Sequence, residues 1–510
     1  RLNDRFKLLT GGSRTALERH QTLRALVDWS YDLLSQDEQR LFRQLSVFAG
    51  GWTFEAGEAV CVGLDVLDLL TQLIHKSLVM VTDQTNETRY DLLETLRQYG
   101  HNKLLEAGEA KQVRDRHLDF FLRLAEEAEK HYNSFQEREW MSRLEGDYDN
   151  LRAALDWALE QDVLIALRLA TALSPYWSRH GHEAEGNRTL SEALARFNAL
   201  PNAAGEAEKR QRITLQVKAL GAMEVLSFAY GDFMTSLKVA EKVIELSRRM
   251  GEKQTLSEAL SYLGVVRAFL GEKAISISLA EEAVSLAREV GDRVLLGLAL
   301  SNMAGVIAMT EGDPQKGKAC ADEGIALLKE AGAQWGVAMT TFGSGIFAAR
   351  QGNYSEALSR FEASIPVFTE LGDKHRITMA YSEIGHVERR QGHFEQAKLN
   401  YHKTLLEWQR LGHRAAIAHE LECLAMIAKA EEEERRAATL FGAAEGLREL
   451  IGLPMTPIER VEYEREVNDL HSNMEETSFR KDWSEGRALS MQQAIALALG
   501  NEDQDTPASL

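Results

Sequence analysis

The chain has 510 residues and a formal net charge of −19, from 59 Lys and Arg against 78 Asp and Glu. With 44% hydrophobic and 27% charged residues, the composition is that of a soluble protein, and the length asks for several domains or one long repeat array. So acidic a balance argues against tight, salt-driven nucleic-acid binding, which needs a basic face. Cys61, Cys320 and Cys423 show no CxxC spacing, which argues against a disulfide framework or a zinc site and fits a reducing, cytoplasmic compartment. No signal peptide is visible. The longest uncharged stretches, 294–310 and 331–349, carry Ser, Asn, Gln and Thr, so no membrane span is expected. Because the chain begins with Arg1 rather than Met, it is expected to be part of something longer.

Residues 1–16 read as a linker. From 17 to 110 the apolar periodicity predicts helices near 22–34, 37–48, 53–59 and 66–76. Two short β runs, Leu78–Val81 and Arg89–Leu92, then flank a polar turn over 82–88, a hairpin signature. Several helices followed by a two-stranded wing predict a winged-helix domain. Trp29 and Tyr31, at helical spacing beside Leu26, Leu33 and Leu34, are expected in its core rather than as a stacking platform for bases. The candidate recognition helices carry Glu55, Glu58, Asp65 and Asp68, which would repel phosphate, so an internal hinge or packing role is expected instead of DNA contact.

Residues 111–205 predict a helical connector with segments at 117–128, 140–159 and 164–177, broken near Asn133–Ser134, Gly181 and Pro201. An internal repeat fills 206–455. Gly231, Gly271, Gly312, Gly352 and Gly392 are spaced by 40, 41, 40 and 40 residues, and Gly251, Gly291, Gly332, Gly372 and Gly412 keep the same spacings, continuing to Gly452. Glycine supplies the positive φ that ends a helix. Two alternating series therefore predict stacked helix–turn–helix units.

Small residues hold the same phase. Five positions after the first glycine stand Ser236, Ser276, Gly317, Ala357 and Ala397, and Ala437 continues the series although Glu432 replaces the glycine. Four positions further on are Ala240, Ala280, Ala321, Phe361, Tyr401 and Phe441. Thirteen positions after the second glycine come Gly264, Ala304, Gly345, Gly385 and Ala425. Small residues let helices approach, and the larger neighbour fills the gap. This pattern resembles tetratricopeptide repeats in a roughly 40-residue form. The resemblance implies a right-handed superhelix whose concave groove is lined by the first helix of each unit. Beyond the array, Pro454 and Pro457 are expected to end the last unit, helices near 459–476 and 490–498 to cap it, and the tail from Asn501 to be disordered, making 456–510 a capping segment. The expected fold class is mostly α, a winged-helix domain followed by an α-solenoid.

A wider resemblance rests on short motifs. Arg19-His20-Gln21-Thr22-Leu23, Trp29-Ser30-Tyr31-Asp32-Leu33-Leu34, Leu45-Ser46-Val47-Phe48-Ala49-Gly50-Gly51 and Leu92-Leu93-Glu94-Thr95-Leu96-Arg97-Gln98-Tyr99 resemble the winged-helix domain of bacterial STAND signal-transduction ATPases. Asp149-Asn150-Leu151-Arg152 with Trp157, Leu440-Phe441-Gly442-Ala443-Ala444-Glu445 and Trp483-Ser484-Glu485-Gly486-Arg487 are similar to later parts of the same proteins. The family implies an upstream ATPase domain using ATP, ADP and Mg²⁺, a repeat array as sensor, and oligomerisation on activation, with an N-terminal effector as output. Residues 1–6 resemble the end of that ATPase module. No GxxxxGK[ST] loop occurs in the chain, so the resemblance is to the sensor half, with no cofactor of its own. Relatives carry Met-His-Asp after the wing, where the His touches ADP. That triplet falls on Leu92-Leu93-Glu94, which leaves Glu94 as the one nucleotide-sensing candidate, with a structural role favoured.

No catalytic constellation is recognised, and none of the residues is assigned as catalytic. His180 and His182 flank Gly181 without a nearby thiolate or carboxylate, so no metal ligand set is assigned by spacing. The groove supplies the remaining candidates. Stepping from each small first-helix residue along one helical stripe gives Glu258, Leu298, Ser301, Met339, Phe342, Ile346, Met379, His386, Arg389, His419 and Glu422. Its middle is apolar and its C-terminal end polar. Such a face suits a peptide, protein or small-molecule inducer. The resulting expectation is a sensor portion whose array binds an inducer and controls a nucleotide-dependent switch. The alternative is a free-standing tetratricopeptide-repeat scaffold without nucleotide control.

Overall fold

The computed structural model describes residues 18–84, 87–310, 312–452, 455 and 457–500. The linker reading of 1–16, Pro454 and the tail from Asn501 lie outside them. The chain divides into two units, Arg1–Glu127 with Ser142–Leu169, and Ala128–Met141 with Ala170–Leu510.

In the first unit, α1 (Glu18–Asp32), α2 (Gln36–Leu45), β1 (Trp52–Thr53), α3 (Phe54–Val60) and α4 (Val66–His75) precede a hairpin of β2 (Met80–Gln84) and β3 (Glu87–Asp91), followed by α5 (Glu94–Glu106). Side-chain caps set the helix starts: Ser35 and Glu38 form a capping box, Thr53 caps α3 and Asp65 caps α4. β3 is the central strand of an antiparallel sheet ordered β1-β3-β2. The hairpin turn is tighter than 82–88, because Thr82–Arg89 and Asp83–Thr88 pair across the ladder and carry it to Gln84 and Glu87. The core holds Leu41, Phe42, Phe48 and Trp52, with Phe48 stacked 5.3 Å from Trp52. Tyr31 and Leu34 are buried as expected, but Trp29 is 63% exposed, and Leu26 and Leu33 are exposed with it. One helix face cannot bury both sets, and α1 turns the Tyr31 side inward.

Next come α6 (Ala110–His131), α7 (Glu137–Gly146), α8 (Tyr148–Gln161), α9 (Val163–His180) and α10 (Glu183–Asn198). The single helix expected over 140–159 is two, divided at Asp147, whose buried carboxylate accepts from Arg89 Nη2 at 2.7 Å. Three residues on, Asn150 explains two of the short motifs together. Its Oδ1 accepts from Ala49 N at 2.7 Å and its Nδ2 donates to Gly51 O at 2.7 Å. Gly50 and Gly51 have φ of +76° and +82°, so this amide pins a left-handed turn and satisfies its buried backbone.

In the second unit the array runs through α11 (Glu206–Tyr230), α12 (Phe233–Met250), α13 (Lys253–Phe269), α14 (Lys273–Val290), α15 (Arg293–Met309), α16 (Pro314–Ala331), α17 (Gln334–Arg350), α18 (Tyr354–Glu370), α19 (Lys374–Arg390), α20 (Phe394–Leu411), α21 (Arg414–Ala430) and α22 (Glu434–Ile451). Gly231, Gly271, Gly352 and Gly392 of the first turn series and Gly251, Gly291, Gly332, Gly372, Gly412 and Gly452 of the second have φ between +64° and +83°, and Glu432 adopts +64° in place of the missing glycine. The small series works as expected: a Cβ at Gly345 would lie 2.6 Å from the Phe361 ring, and one at Gly385 2.9 Å from Tyr401. Odd-numbered helices α13, α15 and α17 pack directly on one another. Even-numbered ones are linked by long ion pairs such as Arg248–Glu282 and Lys316–Glu281, both 2.8 Å. The odd-numbered series therefore lies on the inside of the curve.

α23 (Pro457–Asn473), α24 (Glu476–Arg487) and α25 (Met491–Ala498) follow. Pro457 opens α23, a position where its missing N–H costs nothing. The sequence reading passed over α24, whose backbone touches that of α22. A Cβ at Gly442 would lie 2.2 Å from Trp483 O, and one at Gly486 2.0 Å from Thr439 O. Among the described residues, no helix is long and apolar enough to cross a membrane.

Candidate functional site: the inner face of the repeats

The inner stripe is not uniform. In its middle, Leu298, Ser301, Met339, Ile346 and Met379 are half-buried, and Glu258 is exposed. Ser301 accepts from Thr340 Oγ1 at 2.9 Å, and Asn302 Nδ2 donates to Ser261 Oγ at 3.1 Å, so the inner helices are stitched by hydroxyls as well as packing. Phe342 departs from the expectation. It is 2% exposed and packs 5.5 Å from Phe361 between helices, because its position points to the partner helix of its own repeat.

The polar C-terminal end of the stripe is covered by the chain itself. Arg389 donates to Glu462 of α23 at 2.8 Å, and Lys429 to Glu466 at 2.8 Å. Glu422 is buried against Arg448, with Nε–Oε1 at 2.5 Å and Nη2–Oε2 at 2.9 Å. His386 is buried, its Nδ1 2.6 Å from the Tyr401 hydroxyl, and His419 is half-buried with Nδ1 3.3 Å from Glu422. These four candidates are intramolecular contacts rather than open groove.

Sequence reasoning missed a polar chain that joins distant parts of this unit. Glu137 and Arg179 form a buried pair at 2.5 Å, and Arg179 lies over the Trp335 ring at 4.7 Å. Trp335 Nε1 donates to buried Asp373 at 2.8 Å, and Arg376 approaches the same ring at 6.0 Å. Beside it, His375 Nδ1 is 3.2 Å from Glu183, and His413 packs against His375 at 5.3 Å. Burial, opposed by Arg376 and neighbouring histidines, pushes Glu183 up to about 7. Burial first, then the Arg376 charge, pulls His375 down to about 3. Burial and His375 do the same to His413. The turns confirm the approach: a Cβ at Gly181 would lie 2.5 Å from Leu411, and one at Gly372 2.9 Å from His180. The superhelix therefore meets itself after nearly 200 residues, Glu183 to His375 being 192 apart in sequence. Nothing local in the sequence signals such a contact.

Another missed residue, Glu224, occupies in α11 the phase held by Gly264 and Gly345 later. It is 1% exposed with Oε1 unpartnered, and burial, then Glu258, holds its carboxyl well above the usual range.

The one nucleotide-sensing candidate does not suit a phosphate. The sequence has no phosphate-binding loop, and Glu94 is an acceptor held by Arg97 Nε at 2.8 Å and by Gln98 Nε2 at 3.0 Å. It has no donor to offer a phosphate.

The array defines the class: a tetratricopeptide-type α-solenoid. Residues 336–405 match the tetratricopeptide-repeat family, and residues 223–309 match the family of anaphase-promoting complex subunit 5. A Mycobacterium tuberculosis protein named provisionally as an HTH-type transcriptional regulator is 38% identical over 277 residues, covering 52% of this chain and 30% of the relative. A Mycobacterium bovis protein of the same name matches equally. The chain thus spans less than a third of the length of these curated relatives. Among solved structures, a Pyrococcus horikoshii STAND protein with a tetratricopeptide-repeat sensor matches with a TM-score of 0.38 and 14% identity, over 85% of this chain and 65% of that one. A Rap protein complexed with competence and sporulation factor matches with a TM-score of 0.48 and 12% identity, over 75% and 99%.

Proposed function

We propose that the chain is the sensor and regulatory portion of a STAND-type signalling or transcription regulator. Its repeat array takes an inducer, peptide or protein partner on the inner face, and its first unit, read as a winged helix, passes the change to an upstream ATPase domain. Occupancy shifts an equilibrium between a closed and an assembling arrangement of the whole protein, by as much as the ligand's affinity differs between the two. The nucleotide chemistry belongs to that upstream domain.

One observation carries the binding part of this reading. The half-buried Leu298, Met339, Ile346 and Met379 lie on the inner helices, the two Met sulfurs beside Arg376 at 3.2 and 3.6 Å, and unbranched Met side chains adapt to varied apolar partners. The exposed stripe of Leu26, Trp29 and Leu33 on α1 supports contact with a further domain or partner. The relatives' name supports the regulatory setting, and the acidic charge favours output through protein contacts rather than direct DNA contact by this chain.

The test is Leu298→Asp with Met339→Asp in the full-length regulator, reading inducer-dependent oligomerisation and reporter transcription. Loss of response with an unchanged helical spectrum is expected. A retained response in the folded variant removes the inner face as the sensor. Phe342→Asp is unsuitable, because a buried charge there would unfold the repeat.

A further inference from the structure

We propose that His386, His419 and Cys423 form a divalent metal site of the zinc class. His419 and Cys423 stand four residues apart on α21, one turn along the same face, and His386 comes from α19, the preceding inner helix. Cys423 Sγ lies 3.6 Å from His386 Nδ1 and 3.9 Å from His419 Nε2, and the three ligand atoms lie within 4.8 Å of one another. Metal–sulfur and metal–nitrogen bonds of about 2.3 Å and 2.0–2.1 Å in a tetrahedron require S···N edges of roughly 3.6 Å. The two S···N edges are thus within a few tenths of an ångström of that value, and the two imidazole nitrogens, within 4.8 Å of each other, would draw together to roughly 3.3 Å on binding.

The surroundings are those of ligands held from behind. His419 turns its other nitrogen, Nδ1, to Glu422 at 3.3 Å, and Glu422 is fixed by Arg448. His386 turns Nε2 to Ser382 Oγ at 3.5 Å, and Ser382 donates to Glu420 at 2.8 Å. Such partners orient imidazole ligands and raise their basicity. The Tyr401 hydroxyl is hydrogen-bonded to His386 Nδ1 at 2.6 Å, a bond that a metal at Nδ1 would replace, and a water would complete four-coordination. Arg389, on the same helix as His386, is paired with Glu462 at 2.8 Å, so its charge is met within the protein. One thiolate and two imidazoles suit zinc over magnesium or calcium, which prefer oxygen. A bound ion would clamp α19 to α21 where α23 covers the array. This site does not depend on the inner-face reading above.

Cobalt(II), a spectroscopic stand-in for zinc, provides the test in the full chain. The wild type is expected to bind one equivalent, with a thiolate-to-cobalt charge-transfer band and tetrahedral d–d bands that zinc bleaches. Cys423→Ala should abolish the charge-transfer band, whereas Cys61→Ala and Cys320→Ala keep it. His419→Gln, at a half-exposed position, should weaken binding by at least about tenfold while the helical spectrum is retained. Zinc should raise the Tm of the wild type but not that of Cys423→Ala. Absence of a thiolate band in the wild type overturns the proposal, as does an undiminished band in Cys423→Ala. Should Cys423→Ala fail to fold, unchanged cobalt affinity in folded His419→Gln overturns it equally.

Discussion

Glu432 shows how closely one backbone angle is tied to this array. Every other repeat turn in its series of described positive-φ turns uses glycine, yet Glu432 holds φ at +64°, where a Cβ is disfavoured. Glu432→Gly is expected to stabilise the protein by about 0.5–1 kcal/mol, read as a higher urea midpoint with an unchanged m-value. A lower midpoint would mean that Glu432 makes a contact outweighing the strain. The buried histidines give a second expectation at this scale. Burial holds His117 and His180 at about 4, and His375 and His413 at about 3, below the 6.5 of an unfolded histidine. At these four groups the unfolded chain binds more protons between about pH 3 and 6.5, so their contribution to stability rises with pH through that window. Glu183, raised to about 7, acts in the opposite sense between about 4.5 and 7. Buried Glu420, raised to about 7, and Glu224, held well above the usual range, act in the same sense as Glu183, so the imidazole contribution is read as a difference between variants. The urea-midpoint advantage of wild type over His180→Gln should shrink as pH falls from 6.5 to 4.5, and a constant difference would show that imidazole to be solvated.

Helices and turns were the most legible level. Glycine periodicity identifies the repeat turns because only a residue without Cβ takes that angle cheaply, and the small-residue phase identifies the contacts of Gly345 and Gly385. Legibility failed where a partner outside the element decided. Asp147 splits what looks like one helix because Arg89 draws its carboxylate, and Trp29 lies outward although its spacing matches buried Tyr31. The C-terminal motif shows its reason only in space: Gly442 and Gly486 let α22 and α24 touch through their backbones. Gly442→Ala should destabilise by about 1–3 kcal/mol, since the obstacle is a carbonyl rather than a mobile side-chain tip. Gly446→Ala, where the nearest atom is 3.1 Å away, should cost less. Thermal unfolding of the two variants compares them directly, and equal losses would contradict close backbone contact as the cause.

At the scale of the second unit, the candidate groove was only partly legible. A helical stripe picks out Met339 and Met379, which the structure leaves half-buried on α17 and α19. It cannot say that α23 covers Arg389, or that Glu183 meets His375. Those pairings depend on how far the superhelix winds, the sum of many small rotations between repeats. His375→Glu would set a carboxylate against Glu183 and is expected to loosen this closure at a cost on the order of 3 kcal/mol. Small-angle scattering should then give a larger radius of gyration, while Lys374→Glu, at an exposed position, leaves it unchanged. An unaltered radius in folded His375→Glu would show that the closure does not rest on this contact.

Self-contact across 192 residues also has a kinetic meaning. An open solenoid admits a partner by flexing a little at every joint, so association speeds up in proportion to partner concentration. A coil fastened at Glu183, His375 and His413 must first come unfastened, and that step does not involve the partner. Exchange on the inner face would therefore approach a ceiling rate set by the protein alone, and acid, by charging the fastening histidines, would lift that ceiling.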